Sequence, residues 1–336
     1  MKTEFINEKA QSAFNLNIIT SPIVAIILLL VGDSLGAVIF TPISFLLSFS
    51  ATLSVSFELF AFAFISLMVI SWARYIEKSP WVGLGFTKKG AGKDFLLGWG
   101  IGAAMLTTCT LIMWGLGAIE FTSIQFSTKL VGEFIILILA WSIQGTTEEI
   151  LTRGWMFSSL SARHNIPIGI IVSSLFFTFL HLGNNAISLI PILDLTLFAV
   201  LACLIMLKTG NIWVIGGLHA AWNCFQGNVF AFPVSGTDAG QAFIQIGITG
   251  PEWLSGGKFG VEGSVISLLV QGIMISWLVT ISISSPKQAP YNHKRLLATL
   301  QLTVFVFSIF RRKWSWINDS KESQKKITDE RSIIPQ

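Results

Sequence analysis

Charge is what this sequence has least of: only 12% of its 336 residues are Asp, Glu, Lys or Arg, about half the share of an ordinary soluble domain, against 52% hydrophobic. Apolar stretches long enough to cross a bilayer recur along the chain, so a water-soluble fold is excluded. Cysteine is scarce too. Cys109, Cys203 and Cys224 each lie in an apolar segment without CxxC spacing, which excludes a disulfide framework and a thiolate metal site and leaves them as packing residues. The N-terminus lacks a small-residue cleavage site before its first long apolar run, so that segment is expected to be retained. The net charge of +4 is spread over loops and tail instead of one groove, a pattern suited to membrane lipids and not to nucleic acid.

What is present is a series of hydrophobic segments. Residues 17 to 73 read as two spans divided near Ser48 to Ser54, and further spans are expected at about 95–117, 131–160, 166–182, 186–207, 211–227 and 263–284. The expected fold is therefore all-α, a polytopic bundle of about eight membrane-spanning helices, organised as an N-terminal two-helix region with a basic loop (1–94), a transmembrane core (95–284) and a polar, basic tail (285–336). Arg74, Lys78, Lys88, Lys89 and Lys93 place the first loop on the cytoplasmic side. Within the tail, Leu296 to Phe310 is too short to span and reads as an interfacial helix before a disordered end. The Gly- and Pro-rich stretch from Gly227 to Glu262 reads as a structured or partly re-entrant loop on the far side.

Ionisable groups near a bilayer centre cost about 2.5 to 3.5 kcal/mol each, so they persist where they are paired or functional. The fourth span, WSIQGTTEEILTRGWMF, contains three. Glu149 and Arg153 stand at i, i+4 in the favourable orientation for a helical ion pair, and Glu148, about 100° round the helix, is left for chemistry. The fifth span ends on His181, with Phe177 one turn before it, and the seventh presents His219 and Asn223 from one face. Singly, each of these reads as ordinary interhelical packing. Glu148 precedes Arg163 by 15 residues and His181 follows Pro167 by 14, so both lie about 21 to 23 Å from the intervening hairpin at 1.5 Å per residue. Antiparallel neighbours would bring them level, with His219 and Asn223 close to the same layer.

Such a layer suits hydrolysis. A glutamate can activate water, a histidine can help hold it, and an imidazole and a carboxamide can hydrogen-bond an oxyanion. Glu148, His181 and His219 also include the ligand types of a catalytic zinc site, and the sequence leaves both mechanisms open. Gly32 to Gly36 matches GxSxG inside an apolar helix, without the strand-turn-helix context of a nucleophile elbow, and reads as helix packing together with the Gly98 to Gly102 pair. Asp194 and Glu58 lie in apolar spans without motif support. HExxH and the two-aspartate GxGD pattern of other intramembrane proteases are absent.

EEILTR, FTFLH and HAAWN resemble, in order, the EExxxR, FxxxH and HxxxN motifs of the CPBP family, the type II CAAX prenyl endopeptidases and the Abi bacteriocin-processing and immunity proteases. The resemblance is strong for the core that carries the motifs, residues 148 to 223, and weak for residues 1 to 90 and 285 to 336. It implies an intramembrane endopeptidase in which Glu148 activates water with His181, Glu149 and Arg153 support the site, and His219 and Asn223 form the oxyanion hole. Peptide or membrane-protein substrates, lipidated ones among them, and a multi-pass protein of the plasma membrane are implied as well. Family members with immunity or scaffolding roles, and proton-coupled carriers built on similar intramembrane carboxylates, are the competing classes.

Overall fold

A computed structural model describes residues 3–47 and 51–283. A short helix α1 (Glu4–Lys9) precedes the long helices α2 (Thr20–Leu47), α3 (Ala51–Ser71) and α4 (Ala91–Gly115), followed by strand β1 (Ile119–Ile124). Then come α5 (Thr128–Glu149), a π-helical stretch Ile150–Phe157 continuing into α6 (Ser158–Arg163), α7 (Ile166–Leu180), α8 (Leu189–Thr209) and α9 (Trp213–Cys224). Strand β2 (Ile244–Ile248), α10 (Glu252–Ser255) and α11 (Val265–Ile283) complete the order. Helices occupy all eight expected positions. By length and composition five of them are long and apolar enough to cross a membrane, and Ile166–Leu180 and Val265–Ile281 are shorter apolar helices among the described residues. The protein is an integral membrane protein. The interfacial helix and disordered end expected beyond residue 285 lie outside the described residues, as do residues 48–50 of the break expected near Ser48 to Ser54, while residues 51–54 belong to α3.

Local chemistry sets the helix ends. The Ser127 hydroxyl accepts from Leu130 N at 3.1 Å to start α5, and the Asn165 side chain accepts from Ile168 N at 3.0 Å to start α7, with Pro167 in its first turn. Gly210, at φ 76°, closes α8 in the left-handed conformation. The loop after α9 is more ordered than composition suggests: β2 pairs antiparallel with β1, Ile119 opposite Ile248, with a bulge between Phe121 and Ser123. An all-α reading therefore omits one small two-stranded sheet.

Glycines determine how closely the bundle packs. A Cβ on Gly98 would stand 1.9 Å from the Val214 carbonyl oxygen, one on Gly102 2.2 Å from that of Leu218, and one on Gly217 2.1 Å from that of Phe95. The backbones of α4 and α9 are thus in direct contact, and this contact seats His219 and Asn223. Gly32 and Gly36 likewise meet Ile65 and Ala61 of α3, which gives GxSxG a packing role.

At the basic end of the bundle, α1 tucks under α6, with Phe5 and Phe157 rings 6.0 Å apart. Lys9 is fully buried and ion-paired with Glu77, whose other oxygen accepts from Trp72 Nε1 at 2.9 Å and Trp155 Nε1 at 3.0 Å. Burial pushes the Lys9 ammonium below its ordinary pKa, and the Glu77 carboxylate opposes that shift. Lys9→Met strands a buried carboxylate and is expected to cost about 3 to 5 kcal/mol of apparent unfolding free energy in detergent. Lys9→Met with Glu77→Gln, which keeps an acceptor for both indoles, is expected to recover most of it. Equal loss in the single and double variants would contradict the pairing.

Candidate active site

The paired glutamates stand where α5 gives way to the π-helical stretch. π-helical hydrogen bonding adds a residue to the turn and re-aims the side chains beyond it, a feature frequent at functional sites. Glu149 and Arg153 are fully buried, with Arg153 Nη1 3.2 Å from Glu149 Oε1. The same Glu149 oxygen lies 2.9 Å from His219 Nδ1. A carboxylate can only accept, so Glu149 fixes the proton on Nδ1 and turns Nε2 toward Glu148, whose Oε2 is 3.7 Å away. The Arg153 guanidinium also lies over the Phe177 ring, 4.5 Å from its centroid. Phe177 in turn packs 4.7 Å from the His181 ring and 6.0 Å from the His219 ring, so one aromatic joins the three motif helices.

His181 caps α7, and its Nδ1 lies 2.8 Å from the Phe177 carbonyl oxygen. That acceptor requires a proton on Nδ1, leaving Nε2 as a lone pair for a water or substrate proton. Asn223 Nδ2 donates to Gln144 Oε1 at 3.0 Å, and Gln144 Nε2 donates to Glu148 Oε1 at 2.6 Å. One carboxamide thereby orients both Asn223 and Glu148. Glu148, His181, His219, Asn223 and Phe177 all line one cavity of about 380 Å³, while Glu149 and Arg153 stand behind it. Sequence reasoning missed Gln144, although a glutamine one turn before Glu148 in an apolar span was the available signal. It also missed Glu262, which lines the cavity from the Gly-rich loop. No periodicity marks a residue there.

Among the described residues no group of three His, Cys, Asp or Glu side chains is gathered closely enough to hold a metal ion. The zinc candidates Glu148, His181 and His219 share the cavity, and Nδ1 of each histidine is hydrogen-bonded within the protein, His181 to the Phe177 carbonyl oxygen and His219 to Glu149, which leaves Nε2 as the ring atom available to the cavity.

Residues 130–225, from α5 through the HxxxN helix, match the family model described as Type II CAAX prenyl endopeptidase Rce1-like. The match supports the resemblance to the CPBP family over that segment, which is less than a third of the chain. No curated protein and no solved structure matches the chain. At family level the match supports a CAAX-type intramembrane protease, and the matched segment contains all three motif helices. The helices α2, α3, α4 and α11 lie outside the match, so the wall that α3 gives the cavity, including Glu58 and Phe62, is supplied from beyond it.

Proposed function

We propose that the protein is an intramembrane endopeptidase that hydrolyses peptide bonds with water held between Glu148 and His181. The observation that carries this reading is the meeting of four hydrogen-bonding side chains, from α5, α7 and α9, at one cavity inside an apolar bundle. Glu148 takes a proton as the water oxygen attacks the peptide carbonyl carbon. An imidazolium at position 219, held between Glu148 and Glu149, carries a proton on Nε2, and this proton and an Asn223 N–H receive the oxyanion. Collapse of the tetrahedral intermediate breaks the C–N bond, and the proton on Glu148 passes to the leaving amine. Arg153 balances Glu149, so the His219 ring keeps its orientation through the cycle. The test is cleavage of membrane-inserted peptides by the purified protein in water enriched in heavy oxygen. One heavy atom in the new C-terminal carboxyl is expected, whereas ion flux without cleavage would favour a carrier.

Exhaustive chelation is expected to leave turnover unchanged. Loss of turnover that added zinc restores would overturn the water-activation scheme.

The cavity mouth indicates which membrane face supplies substrate. Gln241 N donates to Thr52 Oγ1 at 3.2 Å, so the loop holding Ser235, Thr237 and Asp238 sits at the start of α3, whereas the basic loop follows the end of α3. If that basic loop is cytoplasmic, the mouth faces outward from a plasma-membrane location. Asp238→Cys is therefore expected to react with a membrane-impermeant maleimide on intact cells, and Lys78→Cys only after permeabilisation. The three native cysteines are buried, which keeps the background low. The reverse labelling pattern would invert this orientation.

A further inference from the structure

The cavity is acidic beyond what water activation needs. Glu58, Glu148, Asp194, Asp238 and Glu262 line it, and among the described residues no lysine or arginine does. Glu148 has His219 beside it. Among the described residues Asp194 and Glu262 have no basic partner. Glu262 is 6% exposed, and neutral donors hold it: Trp222 Nε1 at 3.1 Å on Oε1, and Ser235 N at 2.9 Å and Oγ at 2.7 Å on Oε2. Asp194, on α8, is 1% exposed. Its Oδ2 accepts from Gln271 Nε2 at 3.0 Å, and its Oδ1 has no hydrogen-bond partner among the described residues.

A buried carboxyl oxygen without a donor is costly in its charged form unless a bound proton or a cation supplies the donor. Here the unpartnered oxygen belongs to a residue lining a cavity large enough for a side chain, and a second carboxylate lines the same cavity. We propose that Asp194 and Glu262 form a subsite for a cation carried by the substrate, the ammonium or guanidinium of a Lys or Arg side chain next to the scissile bond. This rests on the peptidase reading above. Trp222 fixes the subsite relative to the chemistry, because its indole holds Glu262 while the next residue, Asn223, belongs to the oxyanion pair. Phe198 lines the cavity and packs 4.9 Å from the His219 ring and 6.3 Å from the Trp222 ring, an apolar wall along which the stem of a long basic side chain can lie. The exposed Glu58 and Asp238 add the same sign of charge and favour approach of cationic segments.

The experiment uses full-length protein in proteoliposomes and a randomised decapeptide library, N-acetylated in one arm and with free N-termini in the other, with cut sites read by mass spectrometry. A basic residue at one fixed position from the bond is expected to raise kcat/KM at least tenfold over norleucine in both arms. Asp194→Asn and Glu262→Gln are each expected to reduce that preference severalfold while norleucine peptides are still cut. Preference confined to free N-termini would replace the side chain with a terminal ammonium. No basic preference, or a preference unchanged in both variants, would overturn the subsite. If no peptide is cut, the hydrolase reading fails instead, and fluorescence anisotropy with labelled Leu-rich peptides carrying one Lys or one norleucine decides the subsite. Binding at least tenfold tighter for Lys, lost in Asp194→Asn, supports it; equal affinities refute it.

Discussion

Glu148→Gln is expected to lower kcat by about 10² to 10⁴-fold, the range a positioned general base contributes, with little change in KM. Glutamine keeps the size of the side chain and an oxygen that can accept from Gln144 Nε2, so the network that orients it stays closed. What it removes is the ability to take a proton from water. Glu148 is 19% exposed on its side chain and faces the cavity, and Glu149 still partners both His219 and Arg153 in the variant, so folding should be little affected. A parallel fall in thermal stability would indicate a structural carboxylate instead.

Arg153→Met is expected to produce the opposite profile, a loss of about 3 to 5 kcal/mol in apparent stability together with loss of activity. Arg153 is fully buried, pairs with Glu149 at 3.2 Å and lies over Phe177. Its removal leaves the buried Glu149 side chain without its guanidinium partner, so Glu149 no longer holds the His219 ring in a fixed position. Arg153→Lys should not restore the wild type, because a point ammonium cannot both pair with Glu149 and cover the aromatic face. Arg153→Met combined with Glu149→Gln is expected to recover stability without recovering turnover. Unfolding in graded denaturing detergent reads the first quantity, and peptide cleavage the second.

The helices were legible because membrane insertion imposes length and hydropathy, which is why all eight segments stand close to their expected positions. The candidate cluster was legible for the converse reason: Glu148, Glu149 and Arg153 are costly in an apolar span, and the depth count placed His181 level with them. Both Glu148 and His181 line the one cavity. What the sequence hid depends on partners remote in the chain. Gln144 gains meaning only because Asn223 meets it from α9, and Asp194 only because Gln271 reaches it from α11. The pairing of β1 with β2 joins segments more than a hundred residues apart, with no alternation strong enough to announce it. The π-helical stretch after Glu149 likewise has no local signature, since its residues are ordinary helix formers, and it is stabilised by the bundle around it.

The central claim is that residues from separate helices act as one hydrolytic layer. The most direct test is cleavage of one membrane-inserted peptide by wild type, Glu148→Ala and His219→Ala, each reconstituted at equal density and verified as folded. The account predicts turnover in the wild type and at least a hundredfold loss in both variants. Cleavage at wild-type rate in both would contradict it.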